Sequence, residues 1–542
     1  MAKRIAIIGA GSSGLLACKY TLEKGFHPII FEAEEGIGGV WTRTIASTKL
    51  QNTKETYQFS DFPWPASVND KHPCHSQVLN YLESYAQHFG IFPYIKFNSN
   101  VISIGYVGES YEEMESWVLW GGSGKPFGSK GKWHVRVQDV KNCTTEVYQV
   151  DFVILCMGLY SGFPNIPDFP PNRGPEVFNG KIMHSMEYSA MDNLSALEFI
   201  KRKRITIIGS QKTALDIAAE CANANGFEYP CTMIQRTARW QIQSENICGV
   251  NIGFLYLNRF SEFLIHKPGQ TCLLSLLATL LSPLRWGISK FIECYLRSKL
   301  PLKKYGIIPK SSFFQDISSC QTCMLPEKFY DKVEEGSIII RKAHCFSFCK
   351  QGLIIDEECQ PLETDLVIFA TGYKGEQKLR NIFESPFFQK CITGSTDRIS
   401  LYRQVVHPRI PQLAIIGYAE SLSNLYASEI RCQWLAHFLD GKFELPCVSE
   451  MEKQVSIWEN FMKKHIGNSR RACISNNIYG AMINYARTWD VNPEEKKVFC
   501  RLVCTIWTNR LCRPMLMNTV KATLAIKAQY ANIAYISLPP CS

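Results

Sequence analysis

Residues 5–14 read Ile-Ala-Ile-Ile-Gly-Ala-Gly-Ser-Ser-Gly, four apolar residues running directly into G-x-G-x-x-G. Such a run predicts a buried strand, and the following residues, Leu15 to Gly25, carry a helical pattern ended by glycine. Strand, glycine turn and helix in that order are the context in which the turn holds a dinucleotide. Gly9 permits the tight turn, Gly11 lets a pyrophosphate approach bare backbone, and Gly14 allows the helix to pack on the strand. The helix N-terminus adds unpaired N–H groups and a positive dipole end. A second strand, His27 to Phe31, ends at Glu32, close to the offset of about 20 residues at which an acid hydrogen-bonds ribose hydroxyls. The competing reading is a glycine turn with an unrelated surface glutamate, and the agreement of all four features weighs against it.

The same grammar recurs two hundred residues on. Arg204-Ile205-Thr206-Ile207-Ile208-Gly209 leads into Ser210-Gln211-Lys212-Thr213 and a helix predicted from Ala214 to about Asn225. Here Gln211 stands where the middle glycine of the pattern belongs, which places a Cβ where a pyrophosphate normally meets backbone, so weaker or displaced nucleotide binding is expected. The next strand, Cys231 to Gln235, ends at Arg236, with Arg239 close behind. A guanidinium at the point where an NAD domain carries an acid suits a 2′-phosphate and predicts NADP over NAD. Ordinary surface arginines are the alternative.

A chain of 542 residues is long for a single core and predicts two or more domains. Its 46% hydrophobic and 20% charged residues are those of a folded globular protein. The net charge of +10 is scattered and no nucleic-acid motif accompanies it, so attraction to phosphate-bearing cofactors or anionic membranes is expected and nucleic acid is not. Met1 to Arg4 run straight into the first strand without a leader's apolar region, and secretion is not expected. The 22 cysteines are then expected as free thiols in a reducing compartment. Cys320-Gln321-Thr322-Cys323 lacks the strand and βαβ setting of a dithiol redox centre and reads as incidental; no metal-ligand spacing is found and no metal is expected. From Phe254 to about Ser298 the chain is apolar and helix-like, but its uninterrupted run, Cys272 to Leu281, is shorter than the roughly 20 residues a bilayer requires. A buried insertion covering the active-site entrance is the favoured expectation, and a superficial membrane contact the alternative.

Gly36-Ile37-Gly38-Gly39-Val40-Trp41 follows the first turn, two glycines that bring backbone near a ligand and an aromatic able to cover it. With Glu32, this E-x-x-x-x-x-G-G-x-W spacing resembles the FAD domain of flavin-containing monooxygenases. Leu50 to Glu55 and Phe59 to Pro65 are similar to a further family segment, in which Asn52 matches an asparagine beside the flavin ring. Phe178, Gly180, His184 and Tyr188 form F-x-G-x-x-x-H-x-x-x-Y, which resembles the identifying motif of class B flavoprotein monooxygenases, its tyrosine as in the nitrogen- and sulfur-oxygenating members. A lone histidine is more often a packed or surface residue, and here the resemblance implies a positioning role at the domain junction. Leu366 to Tyr373, with Thr371 and Gly372, resembles the segment returning from the NADPH domain to the FAD domain, and Cys156-Met157-Gly158 its degenerate counterpart on the way out. Leu401 to Arg403, His407-Pro408 and Ile415 to Tyr418 resemble the closing FAD elements. The resemblance covers residues 1 to about 445, and a bulky residue at position 211 resembles the plant defence-associated group.

The resemblance implies an α/β fold with two Rossmann-like dinucleotide-binding domains, the NADPH domain inserted into the FAD domain and carrying a helical insertion. The expected bounds are 1–170 and 336–445 for the FAD domain, 171–335 for the NADPH domain with its insertion at about 245–305, and 446–542 for a helical region of unknown role. FAD and NADPH are the implied cofactors, and O2 and a small-molecule amine or sulfur compound the implied substrates. The implied chemistry is transfer of one oxygen atom to nucleophilic nitrogen or sulfur through a C4a-hydroperoxyflavin, with Asn52 assisting, for instance N-hydroxylation of a cyclic amino acid in plant defence. A cytoplasmic location, peripheral at the endoplasmic reticulum surface, is expected. A flavoprotein disulfide reductase would need a cysteine pair near the flavin, and no cysteine lies between Cys18 and Cys74. A flavin-binding redox sensor, or an oxidase making only hydrogen peroxide, is the alternative, with Gln211 as its support.

Overall fold

The computed structural model describes residues 3–252, 264–267, 270–356, 358–393, 399–421 and 423–466. Two five-stranded parallel sheets organise them. In the first, Leu413–Ile415, Phe152–Leu155, Arg4–Ile8, His27–Phe31 and Ile95–Lys96 lie in that order. In the second the order is Ile338–Lys342, Cys231–Gln235, Ile205–Ile208, Leu366–Phe369 and Lys181–His184. Both turn-bearing strands are central and buried on both faces, Ile5 to Ile8 and Ile205 to Ile208 alike, which is why they read as apolar runs, interrupted only by buried Thr206, rather than alternating ones. The helices Ser12–Glu23 and Lys212–Asn225 follow them, and each sheet is accompanied by a three-stranded antiparallel meander, Ser99 to Val150 in one case and Phe346 to Glu363 in the other.

The first sheet is completed by Leu413–Ile415, so the second sheet interrupts it in sequence. One expected boundary needs correction. A second domain ending at residue 335 would exclude Ile338–Lys342 and Leu366–Phe369, yet both pair within the second sheet. The chain returns instead at 371–374, where it lies against the outgoing segment: Pro164 bridges Tyr373, the Asn165 N–H donates to the Gly372 carbonyl at 2.9 Å and the Lys374 N–H to the Phe163 carbonyl at 2.8 Å. The two crossings therefore brace each other.

The apolar run at 272–281 is also corrected. Cys272–Leu280 and Ser282–Lys299 are helices bent by 44°, and in the first only Ala278 is buried, with Leu273, Leu276 and Leu280 exposed. The second helix buries Ser289, Ile292, Glu293 and Leu296 and turns Leu284, Trp286 and Phe291 outward. Buried and surface-docking helices share the same composition, so the run alone could not separate them. No single helix among the described residues is long and apolar enough to cross a membrane. Of the Phe254 to Ser298 stretch, residues 254–263 and 268–269 lie outside the described residues, as does the expected C-terminal region beyond the helix Val448–Ile466.

Candidate active site

The first turn shows which of its glycines the protein itself needs. A Cβ on Gly9, whose φ is +104°, would lie 2.6 Å from the Cys156 carbonyl oxygen, and one on Gly14 would lie 1.9 Å from the Gly9 carbonyl oxygen. Both contacts are impossible without moving backbone. Gly11 is different. Its φ of −73° suits any residue, and the nearest atom to a Cβ there is the Gly39 Cα at 3.6 Å, ordinary contact. The chain's own packing therefore tolerates a Cβ at Gly11, beside the start of a helix whose first N–H groups lack intrahelical partners. Gly38 and Gly39, at φ +127° and +59°, lie against this turn, a Gly39 Cβ standing 3.1 Å from the Gly11 Cα. This is the fit expected for a dinucleotide pyrophosphate.

Glu32 is buried, and its carboxylate accepts from the Ala10 N–H at 2.6 Å and the Glu34 N–H at 3.0 Å. It ties the turn to the second strand and retains lone pairs for a ribose hydroxyl. Val40 is exposed, whereas half-buried Trp41 donates through Nε1 to the Tyr57 hydroxyl at 2.9 Å. Asn52 is half-buried on a bend, its backbone carbonyl 3.1 Å from His72 Nδ1. Lys378, absent from the sequence reading, donates to the Met157 carbonyl at 2.7 Å and the Ser161 hydroxyl at 2.9 Å. Burial lowers its pKa and the charge of Glu32 raises it.

The second turn repeats the first. Gly209, at φ +147°, faces the Ala370 carbonyl oxygen 2.4 Å from where a Cβ would be, and its N–H donates to the Ile234 carbonyl at 3.0 Å, as that of Gly9 does to Phe31 at 2.9 Å. Ala214 is fully buried, so the third position accepts a methyl group. Gln211, at Gly11's place, donates from Nε2 to the Gln321 carbonyl at 3.3 Å. Ser210 and Lys212 are half-buried, Thr213 exposed, and Lys212 pairs with buried Asp216 one helical turn on. Arg236 is exposed at the end of Cys231–Gln235 with no ion pair among the described residues, whereas Arg239 donates at 3.1 Å to fully buried Asp316, which also accepts from the Trp240 N–H. The two arginines are thus separated: Arg239 has a structural engagement and Arg236 does not. Cys323 is buried.

The F-x-G-x-x-x-H-x-x-x-Y residues line a domain junction. A Gly180 Cβ would lie 2.3 Å from the Phe178 ring and 2.7 Å from the Asp365 carbonyl oxygen, which explains the glycine. His184 ends its strand beside Phe369. Its Nδ1 accepts from the Met186 N–H at 3.2 Å, its buried Nε2 has no hydrogen-bond partner among the described residues, and its ring stands edge-on to Tyr373 at 5.3 Å. Burial lowers its pKa, the Gly372 backbone opposing it, so the ring is neutral and carries its proton on Nε2 at neutral pH. Buried Tyr188 donates to Glu220 at 2.9 Å, and the other oxygen of Glu220 accepts from the Ser47 hydroxyl at 2.6 Å. Thr371 and Gly372 sit in the braced crossings, Thr371 donating to the Asn165 carbonyl.

The family described as flavin-binding monooxygenase-like matches residues 2–502. A protein named "Probable flavin-containing monooxygenase 1" from Arabidopsis thaliana is 38% identical over 92% of this chain and 93% of its own length. Among solved structures, S-allyl-L-cysteine S-oxygenase from Allium sativum superposes with a TM-score of 0.55 at 18% identity, covering 94% of both chains. OTEMO, solved in complex with FAD and NADP, gives 0.60 at 15% identity over 94% of this chain and 98% of its own.

Proposed function

The chain belongs to the flavin-binding monooxygenase-like family, and from that premise we propose that it uses FAD and NADPH to insert one oxygen atom of O2 into a nucleophilic nitrogen or sulfur of a small metabolite. The observation that carries the reading is the pair of like-built turns, with a glycine at position 11 that the protein's own packing does not require. When bound, the reduced flavin activates dioxygen and supplies the transferred oxygen atom. The protein's residues bind and orient. Gly11 and the helix N-terminus at Ser12 receive the FAD pyrophosphate, Glu32 a ribose hydroxyl, and Gly38 to Trp41 close over the cofactor. At the second turn, residues 209–214 receive NADPH, with Arg236 on its 2′-phosphate. His184 and Tyr188 position the junction, and the Asn52 amide hydrogen-bonds the oxygen being transferred.

The substrate class we favour is an amine, with N-hydroxylation of a cyclic amino acid as the specific case, because the F-x-G-x-x-x-H-x-x-x-Y motif, with Tyr188, resembles that of the nitrogen- and sulfur-oxygenating members; a sulfide is the alternative, suggested by the fold shared with the S-oxygenase. A panel of both, scored by mass gain of one oxygen, decides between them. An Asn52→Ala variant tests the reading itself. A hydrogen bond to a charged or developing group is worth about 1.5–3 kcal/mol, so the variant should keep flavin and oxidise NADPH, while its ratio of oxygenated product to hydrogen peroxide falls about ten- to a hundredfold. Unchanged coupling would remove Asn52 from the site. Wild-type protein that makes only peroxide with the whole panel would favour the oxidase reading.

For location we propose contact with an anionic membrane surface from the cytoplasmic side. Leu273, Leu276, Leu280, Leu284 and Trp286 leave exposed apolar surface on the bent helix pair, and Arg297, Lys299, Lys303 and Lys304 are exposed along the chain that follows, a pairing suited to acyl chains beneath acidic headgroups. The full chain should float with phosphatidylserine-containing vesicles and a Leu273→Glu/Trp286→Glu variant should not. Equal flotation of both would exclude this face.

A further inference from the structure

Residues 45–51 leave the first domain's glycine loop and lead directly into Asn52. Their backbone is tied to the first domain: Lys49 bridges Cys74, and the Leu50 N–H donates to the Pro73 carbonyl at 2.9 Å. Their side chains are tied to the second. Ile45 is buried in the core that contains Ala214, Leu215 and Tyr188. The Ser47 hydroxyl donates to Glu220, the Thr48 hydroxyl to Asp216 at 2.8 Å, and Gln51 accepts from the Met324 N–H at 3.2 Å. Asp216 and Glu220 are one turn apart on the helix that begins at the second turn.

Asp216 divides its oxygens. Oδ1 accepts from Lys212, the residue that opens that helix, and Oδ2 from Thr48. Asp216 is 2% exposed, too buried for water to replace a lost donor. A dinucleotide at the second turn would bring a diphosphate to the helix N-terminus, where the Lys212 ammonium is the nearest side-chain cation in sequence. As Lys212 turns to phosphate, the Thr48 hydroxyl is the remaining side-chain donor to Asp216 among the described residues, and the ionised carboxylate holds it more tightly because its charge is no longer shared with the ammonium.

We propose that Lys212, Asp216 and Thr48 form a relay through which occupancy of the second turn orders the segment carrying Asn52. The inference rests on the second turn receiving NADPH. Thr48 and Asp216 are here positioning residues, acting through the backbone of 45–52.

Hydrogen exchange on the FAD-loaded full chain, with and without NADP+, tests it without turnover. In wild type, NADP+ should slow exchange at 209–215 and also at 45–52, the latter about tenfold for one strengthened charge-assisted hydrogen bond. Thr48→Val should keep the effect at 209–215 and lose it at 45–52, and Thr48→Ser should restore it. Lys212→Met, which leaves Asp216 to Thr48 permanently, should show slow exchange at 45–52 before any nucleotide is added. Full NADP+ protection of 45–52 in Thr48→Val, or a wild-type response in Lys212→Met, would overturn the relay. No protection at 209–215 in wild type would instead overturn the nucleotide assignment on which it rests.

Discussion

The turn at Gly9 and the turn at Gly209 share a strand on each side, a left-handed glycine against the carbonyl just past a neighbouring strand, and a helix starting three residues later. They differ at the middle position, where the first leaves backbone bare at Gly11 and the second carries Gln211, its side chain turned to the Gln321 carbonyl. They differ again beyond the next strand, one ending at a carboxylate that ties the turn together and the other at an exposed guanidinium. The comparison separates two reasons for a glycine. Gly9, Gly14 and Gly209 are required by the protein's own atoms, whereas a Cβ at Gly11 would make only ordinary contact with Gly39, so under the proposed function its glycine serves the ligand.

That distinction gives the largest expected effects. Gly14→Ala forces a methyl group into the Gly9 carbonyl oxygen and should not yield folded protein. Gly11→Val should fold with near wild-type helix content by circular dichroism, yet be colourless. Displacing the pyrophosphate forfeits one or two charged hydrogen bonds, about 3 kcal/mol in total, or more than a hundredfold in FAD affinity. A yellow, folded Gly11→Val protein would erase the difference between the two kinds of glycine.

Next come the arginines, which distinguish the second domain from the first. Arg236→Ala should raise the apparent NADPH constant about ten- to a hundredfold, the 1.5–3 kcal/mol of a charge-assisted hydrogen bond, and leave NADH nearly unchanged. Arg239→Ala should do the opposite. It removes one donor from fully buried Asp316, which keeps the Trp240 N–H, so stability falls by about 1.5–3 kcal/mol, the worth of a hydrogen bond to a charged group, and the NADPH-to-NADH ratio stays as it was. Thermal melts beside steady-state constants separate the pair. Equal loss of both nucleotides in Arg236→Ala would make it structural as well.

What the sequence disclosed follows the range of the forces concerned. Ile5 to Gly14 and Ile205 to Ala214 were legible because strand burial, turn conformation and helix start are set within ten residues. Arg236 and Arg239 looked alike because Asp316 lies 77 residues from Arg239. The Thr48–Asp216 contact spans 168 residues and has no local pattern. The end of the second domain was misplaced because Ile338–Lys342 joins its sheet only through pairing with Cys231–Gln235. The apolar helix Cys272–Leu280 was read as buried because hydrophobicity reports what water rejects, not what replaces the water.

The smallest effect bears most directly on the comparison: Gln211→Gly makes the second turn's middle position like that of the first. Two contributions oppose each other. Removing the side chain gives the nucleotide bare backbone, as at Gly11, and favours binding. It also deletes a hydrogen bond to the Gln321 carbonyl, 3.3 Å long and only partly buried, worth about 0.5–1 kcal/mol, and adds glycine's conformational entropy in the unfolded chain, about as much again. Both of those costs fall on stability, and neither is specific to the nucleotide. The variant should therefore melt a few degrees lower while binding NADP+ about two- to fivefold more tightly, with NADH gaining by the same factor because the pyrophosphate is common to both. Weaker NADP+ binding would mean that the glutamine is part of the site, its amide contacting the phosphates once it leaves Gln321. The two turns would then be alternative solutions to the same anion, one using backbone and the other a side chain, rather than a complete site and an obstructed one.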